Sequence, residues 1–240
     1  MARPPIPRRD QAIPQCVLAV YAHPDDPEVS CGGTIASWVA GGAEVHLVLV
    51  NQGDKGSSDP AVQPSELARR RATEVEASAQ VLGLSSITMF GEPDGESENT
   101  LALRGRLVDV LRRVKPDVVV CPDPTALFFG DSYVNHRDHR VAGFLTLDAV
   151  APAAASPLYF AGRGAPHRVA TMYLSGTLEP DTFVDIGATI DVKAAALACH
   201  TSQLGEGGEW VRELVQERAV EAGRRTGVRY AEAFRVLRLA

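Results

Sequence analysis

The chain has 240 residues, enough for one large domain or two small ones at roughly 100–200 residues each. Its 24 basic and 30 acidic residues give a formal net charge of −6, which excludes a generally cationic nucleic-acid binder, because phosphate neutralisation needs clustered Lys and Arg. A composition of 45% hydrophobic and 22% charged residues excludes wholesale disorder, and no apolar run approaches the roughly 20 residues of a membrane span.

Residues 1–15 contain four prolines and three arginines but no apolar stretch of the secretory type. They read as a flexible N-terminal arm ahead of a single α/β domain over 16–240. The cysteines, Cys16, Cys31, Cys121 and Cys199, are far apart and form no Cys-x-x-Cys pair, which argues against a Cys-rich zinc knuckle and for a reducing, cytoplasmic setting.

In chain order, β-branched apolar runs predict strands at 16–21, 45–51, 87–90, 118–121, 168–174 and 182–186. The first, second and fourth are almost continuous Val, Leu and Ile, the pattern of strands buried on both faces in a parallel sheet. Helices are predicted at 34–40, 65–82, 101–114, 139–150, 192–203 and 210–225. Pro64-Ser65 starts the second of these and Gly83 stops it, and the third ends before Lys115-Pro116. Residues 151–166, rich in Ala, Gly and Pro, read as an irregular crossing. The alternation predicts a Rossmann-like, doubly wound, mostly parallel sheet with helices on both faces. In such sheets ligands bind beyond the carboxyl ends of the strands, so residues that do chemistry should follow strands directly.

Three segments meet that expectation: 22–30 after the first strand, 52–58 after the second and 122–139 after the fourth. After the first strand comes Ala22-His23-Pro24-Asp25-Asp26-Pro27-Glu28, an imidazole and two adjacent carboxylates in a turn stiffened by proline. One carboxylate can ligate a metal while its neighbour stays free to accept a proton; a hydrated loop with an Asp helix cap is the plainer reading. After the fourth strand comes Asn135-His136-Arg137-Asp138-His139. Two imidazoles and a carboxylate suit a three-ligand metal site with an open position, and a charged helix start is the alternative. The sheet topology brings both strand ends into one crevice.

Ala22-His23-Pro24-Asp25-Asp26, with Glu28 and Cys31-Gly32-Gly33-Thr34, resembles the PIG-L/LmbE-like deacetylases, metal-dependent enzymes that deacetylate N-acetylglucosamine-type sugars, including those of the bacillithiol and mycothiol pathways. The resemblance extends from 16 to 238 through Asn51-Gln52-Gly53-Asp54-Lys55-Gly56-Ser57, Arg71 and Glu74, Pro93-Asp94-Gly95, His136-Arg137-Asp138-His139, Lys193, His200-Thr201-Ser202-Gln203 and Ala231-Glu232-Ala233-Phe234-Arg235. Arg137 stands where the family commonly has proline, and 122–134 is longer than in the shortest members. The resemblance implies that His23, Asp26 and His139 hold the metal, usually Zn2+, with another divalent ion such as Fe2+ as the variant. Asp25 would be the general base, and His136 the general acid and oxyanion donor, oriented by Asp138. Arg71 and Asp94 would lie near the sugar. No nucleic acid or membrane partner is implied, and a homo-oligomer is left open.

The remaining polar residues read more plainly. Arg71 also fits a salt-bridged helix position, Glu28 a structural charge, His200 a packed core histidine and Cys31 a small buried residue. His46 and His167 read as incidental. Gly32-Gly33 and the Gly53–Gly56 loop lack nucleotide-binding spacing and read as close-approach turns. Three function classes stay open: a sugar N-deacylase, including an amidase acting on thiol-sugar conjugates; a non-haem iron oxygenase; and a non-catalytic sugar binder.

Overall fold

Why the apolar runs lack alternation is clear from the two cores that sandwich them. Val17, Ala19 and Tyr21 face one core with Ile35, Trp38 and Leu47, while Leu18, Val20 and Ala22 face the other with Leu107, Leu111 and Leu145. The computed structural model of the protein describes residues 8–205 and 208–239. Its elements begin β1 (Arg8–Asp10), β2 (Cys16–Tyr21), α1 (Asp26–Ala40), β3 (Glu44–Asn51), α2 (Pro64–Leu82), β4 (Ser86–Glu92), α3 (Leu101–Val114) and β5 (Val118–Pro122). They continue β6 (Phe128–Phe129), β7 (Tyr133–Val134), α4 (Arg137–Asp148), a π-helical turn (Ala149–Ala154), β8 (Thr171–Ser175), β9 (Thr182–Asp185), α5 (Ile190–Leu197), α6 (Thr201–Leu204), α7 (Gly208–Arg224) and β10 (Ala231–Arg238).

The large sheet has the order β1-β9-β10-β8-β5-β2-β3-β4. Only β10 runs antiparallel to its neighbours; the other described pairs of this sheet are parallel. The chain winds outward from β2 to β3 and β4, then returns to place β5 on the other side of β2. The switch point therefore lies between the carboxyl ends of β2 and β5, where the two chemical segments emerge.

Several boundaries differ from the sequence reading. The arm expected over 1–15 is part of the sheet edge from Arg8, because β1 pairs with β9 and Ile13 packs on Gly41; residues 1–7 lie outside the described residues. The first helix begins at Asp26 rather than 34, with a kink at Cys31. Its second half is capped from outside, by the Glu232 carboxylate accepting from the N–H groups of Gly33 and Thr34. The helix expected over 192–203 divides at His200. β10 was not predicted because the inward-facing Glu232 breaks its apolar pattern.

The irregular crossing is organised by Arg112, which is buried on α3. Its guanidinium donates to the carbonyls of Ala153, Ala154, Ser156, Tyr159, Phe160 and Arg163. A loop without its own ladder needs external partners for its backbone when it packs against the protein, and this fork of five N–H donors supplies them.

Candidate metal and catalytic site

Strand β2 ends at Tyr21, and the prolines that follow hold the next residues in a tight turn over the sheet's carboxyl edge. Asp25 takes a left-handed conformation (φ 90°) ahead of α1, although it is not glycine. Its side chain does not cap the helix. It pairs with Nη2 of Arg71 at 3.2 Å instead, so the cap reading of Asp25 does not hold. A backbone held in this region is strained, and here it turns the carboxylate toward the crevice.

The adjacent Asp26 points the other way, between two imidazoles. Its Oδ2 accepts from the backbone N–H of His23 at 2.8 Å. His23 Nε2 donates to the Asp138 carboxylate at 3.2 Å, leaving Nδ1 to face Asp26 at 3.5 Å. His139 repeats the arrangement: Nδ1 donates to Oδ1 of Asn135 at 3.1 Å, and Nε2 faces Asp26 at 3.2 Å. Each ring thus has one nitrogen held by an outer partner and the other directed at the same carboxylate. Outer partners that fix imidazole orientation in this way are usual behind metal-ligating histidines. Ligand atoms of His23, His136 and His139 lie within 4.8 Å of one another, as do those of His23, Asp94 and Asp138.

The electrostatics are those of a site built for positive charge. Burial opposes a charged His23, but the carboxylates of Asp138 and Asp26 outweigh it and push its pKa up to about 10. Burial likewise opposes a charged His139, and Asp26 raises it. Asp26, despite burial, is held far below the usual carboxylate range by His139 and His23. Asp25 moves oppositely: burial and the neighbouring Asp26 charge push it up to about 7, with Arg71 opposing. One carboxylate of the pair is therefore kept ionised between the imidazoles, and the other can exchange a proton near neutrality.

His136, at the start of α4, is half exposed. Its Nδ1 accepts from the backbone N–H of Asp138 at 3.3 Å, which places the ring proton on Nε2. Burial and His23 lower its pKa. Asp138 was expected to orient this ring, and the structure corrects its partner. The Asp138 carboxylate reaches His23 first and lies 3.8 Å from His136 Nδ1. It also accepts from Gly95 N at 2.6 Å and Ser97 Oγ at 3.2 Å. Asp138 is fully buried beneath His23, and toward His136 it offers its backbone N–H as the hydrogen-bond donor, with its carboxylate farther off.

Arg71 and Asp94, the expected sugar contacts, line a cavity of about 440 Å³ together with Asp25, Lys55, His136 and Gln203. Both are also held within the protein. Arg71 donates to the carbonyls of Pro24 and Gly53, and Asp94 accepts from the backbone N–H groups of Gly53 and Lys55. Gly53 (φ +76°) is a close-approach turn as read from the sequence, since a Cβ there would sit 2.7 Å from the Arg71 side chain. Glu28 and His200 are buried 3.4 Å apart behind the turn, and Ser78 Oγ donates to Glu28, in keeping with structural roles. Cys31 is buried against the Tyr21 hydroxyl, and burial raises its thiol pKa.

Sequence reasoning assigned no role to Asn135, which sets the His139 tautomer, or to Tyr133, which lines the crevice from the β6–β7 hairpin. Gly130-Asp131-Ser132 between Phe128-Phe129 and Tyr133-Val134 was the available hairpin signal.

Residues 18–150 match the PIG-L family, GlcNAc-PI de-N-acetylase. The diacetylchitobiose deacetylase of Thermococcus kodakarensis is 35% identical over 224 residues, covering 91% of this chain and 82% of that one. A 1D-myo-inositol 2-acetamido-2-deoxy-alpha-D-glucopyranoside deacetylase of Kineococcus radiotolerans is 29% identical over 197 residues, covering 69% of this chain and 52% of that protein, so the match spans about half of its length. The solved N,N'-diacetylchitobiose deacetylase of Pyrococcus horikoshii, complexed with its inhibitor, superposes with a TM-score of 0.85 at 31% identity, covering 94% of this chain and 84% of that one.

Proposed function

Because this chain belongs to the PIG-L family, we propose that it hydrolyses the N-acyl amide of an amino sugar, acetyl on an N-acetylglucosamine-type substrate, to a free amine and a carboxylate. The observation that carries this reading is the division of labour in the Asp25-Asp26 pair. Asp26 lies between Nδ1 of His23 and Nε2 of His139, and Asp25 faces the polar cavity.

In this reading His23, Asp26 and His139 hold a divalent cation. Zinc is the first choice, because two imidazoles and one carboxylate with an open position suit it, and Fe2+ is the variant. Bound there, such a cation supplies Lewis acidity, acidifying water and polarising an amide carbonyl. Asp25 takes the proton of the attacking water as the oxygen–carbon bond forms. His136 donates a hydrogen bond from Nε2 to the developing oxyanion, and the proton that Asp25 took passes to the amine nitrogen as the carbon–nitrogen bond breaks, since the neutral His136 ring has no second proton to give. Arg71 holds Asp25 in place, and with Asp94 it lines the space for sugar hydroxyls.

The four cysteines are unpaired, which supports a reducing, cytoplasmic setting, and among the described residues no helix is long and apolar enough to cross a membrane.

The test is a panel of N-acetylglucosaminyl compounds and thiol-sugar conjugates incubated with zinc-loaded protein, with amine and carboxylate both measured. Equal release of the two from at least one N-acetyl sugar is expected. Release from thiol-sugar conjugates alone would move the reading to a conjugate amidase, and no release from any amide by the metal-loaded protein would overturn it.

A further inference from the structure

A second cavity of about 710 Å³ lies on the other side of the same residues. It shares Asp26, Tyr133 and His139 with the polar cavity, so the two form arms of one crevice that meet at the cation-ligand cluster. Their chemistry differs. The polar arm presents Asp25, Lys55, Arg71, Asp94 and Gln203, groups suited to a polyol. The larger arm is walled chiefly by Tyr21, Val29, Pro122, Phe129 and Tyr133; Ser30 also lines it, and Ser175 and Asn135 do so with their polar atoms bonded within the protein. Its buried acid, Asp123, accepts from the N–H and hydroxyl of Thr125, and Arg218 stands at the rim on the exposed face of α7.

We propose that this apolar arm is an acyl subsite and that the enzyme cleaves N-acyl groups longer than acetyl from its amino sugar. The proposal rests on the deacylase reading above. An amide whose carbonyl sits at the shared residues has two sides, a sugar and an acyl chain. The charged arm satisfies sugar hydroxyls, whereas an apolar wall would leave them unpaired at a cost. The acyl chain therefore falls to the apolar arm. A cavity of this size is in the range of roughly 300–1,000 Å³ that takes whole small molecules, far more than a single methyl group fills. The hairpin that forms one wall also carries Phe128, Tyr133 and Val134 at the surface, which extends the apolar path toward the mouth.

Zinc-loaded protein is assayed with N-acetyl-, N-butanoyl- and N-hexanoyl-D-glucosamine, and calorimetry compares binding of acetate and hexanoate, the product acids. The hexanoyl substrate is expected to have a kcat/KM at least equal to that of acetyl, and hexanoate is expected to bind more tightly than acetate. Val29→Phe and Ser30→Phe, two independent ways of filling the arm, should each lower the hexanoyl-to-acetyl ratio of kcat/KM about tenfold or more, measured within one variant; a variant with a collapsed melting transition is set aside and the other decides. Hydrolysis of the acetyl substrate with the hexanoyl one slower overturns this inference and leaves the deacetylase reading standing. A ratio unmoved by filling the arm overturns it too. If no N-acylglucosamine is cleaved but another N-acetylglucosaminyl compound is, the inference falls alone; if no amide of either panel is cleaved, both readings fall.

Discussion

The Asp138 carboxylate, with no exposed surface, lies 3.2 Å from Nε2 of His23 and 3.8 Å from Nδ1 of His136. Its charge therefore acts first on the imidazole assigned to the cation and second on His136. Asp138→Asn should weaken zinc affinity about 10–100-fold, the usual cost of losing a carboxylate behind a ligating histidine. His136→Ala should leave affinity roughly unchanged. Competition with a chromophoric chelator measures both, and an unaltered affinity in Asp138→Asn would show that Asp138 does not support His23 as a ligand.

With Asp25 as the proposed base, Arg71 should set the acid side of the pH profile. Burial and Asp26 raise Asp25 to about 7, and the Arg71 charge works against that rise. A general base must be ionised, so activity climbs as pH passes upward through the Asp25 pKa. Arg71→Gln removes the stabilising charge, raises that pKa further and should move the acidic limb of kcat to higher pH. An acidic limb at the same pH in both proteins would show that Asp25 is not the group titrating there.

Arg112 should prove to be a stability residue. Its guanidinium serves six carbonyls, two at the end of the π-helical turn and four in the segment between that turn and β8. Lysine carries three donors on one nitrogen and cannot span them. At about 1–3 kcal/mol for each buried group left unpaired, Arg112→Lys should cost about 3 kcal/mol or more. For a chain of this size that is roughly 6–12 °C in Tm, readable by calorimetry. A melting point within a degree of wild type would mean that water replaces the guanidinium.

Gly143 sets how closely α4, which carries His139, approaches β5. A Cβ there would fall 2.6 Å from the Pro122 carbonyl oxygen, a backbone atom with no freedom to rotate away. Gly143→Ala should cost roughly 1–3 kcal/mol through overpacking. It should also lower zinc affinity by displacing His139, a joint effect that distinguishes it from Arg112→Lys, where stability alone falls. Unfolding curves and chelator titration on one preparation check the pair.

The sequence by itself determined the sheet's parallel interior, because residues buried on both faces must be apolar at every position, and runs such as 16–21 and 118–121 carry that constraint openly. It also determined which side chains can do chemistry, since local motifs bring Asp25 beside Asp26 and His136 near His139. Tertiary structure decided the rest. It chose between two adjacent carboxylates by turning Asp25 toward Arg71, 46 residues away in the chain, and Asp26 toward His139. It gave the Asp138 carboxylate to His23 across 115 residues, although His136 is its near neighbour in sequence. It also placed the charged Glu232 inside β10, where it caps the kinked α1 beside Lys193 and so broke the strand's apolar pattern. Spacing along the chain fixes only local neighbours. The partners that set a tautomer, a charge or a cap come from other elements, and folding alone brings them within hydrogen-bond reach.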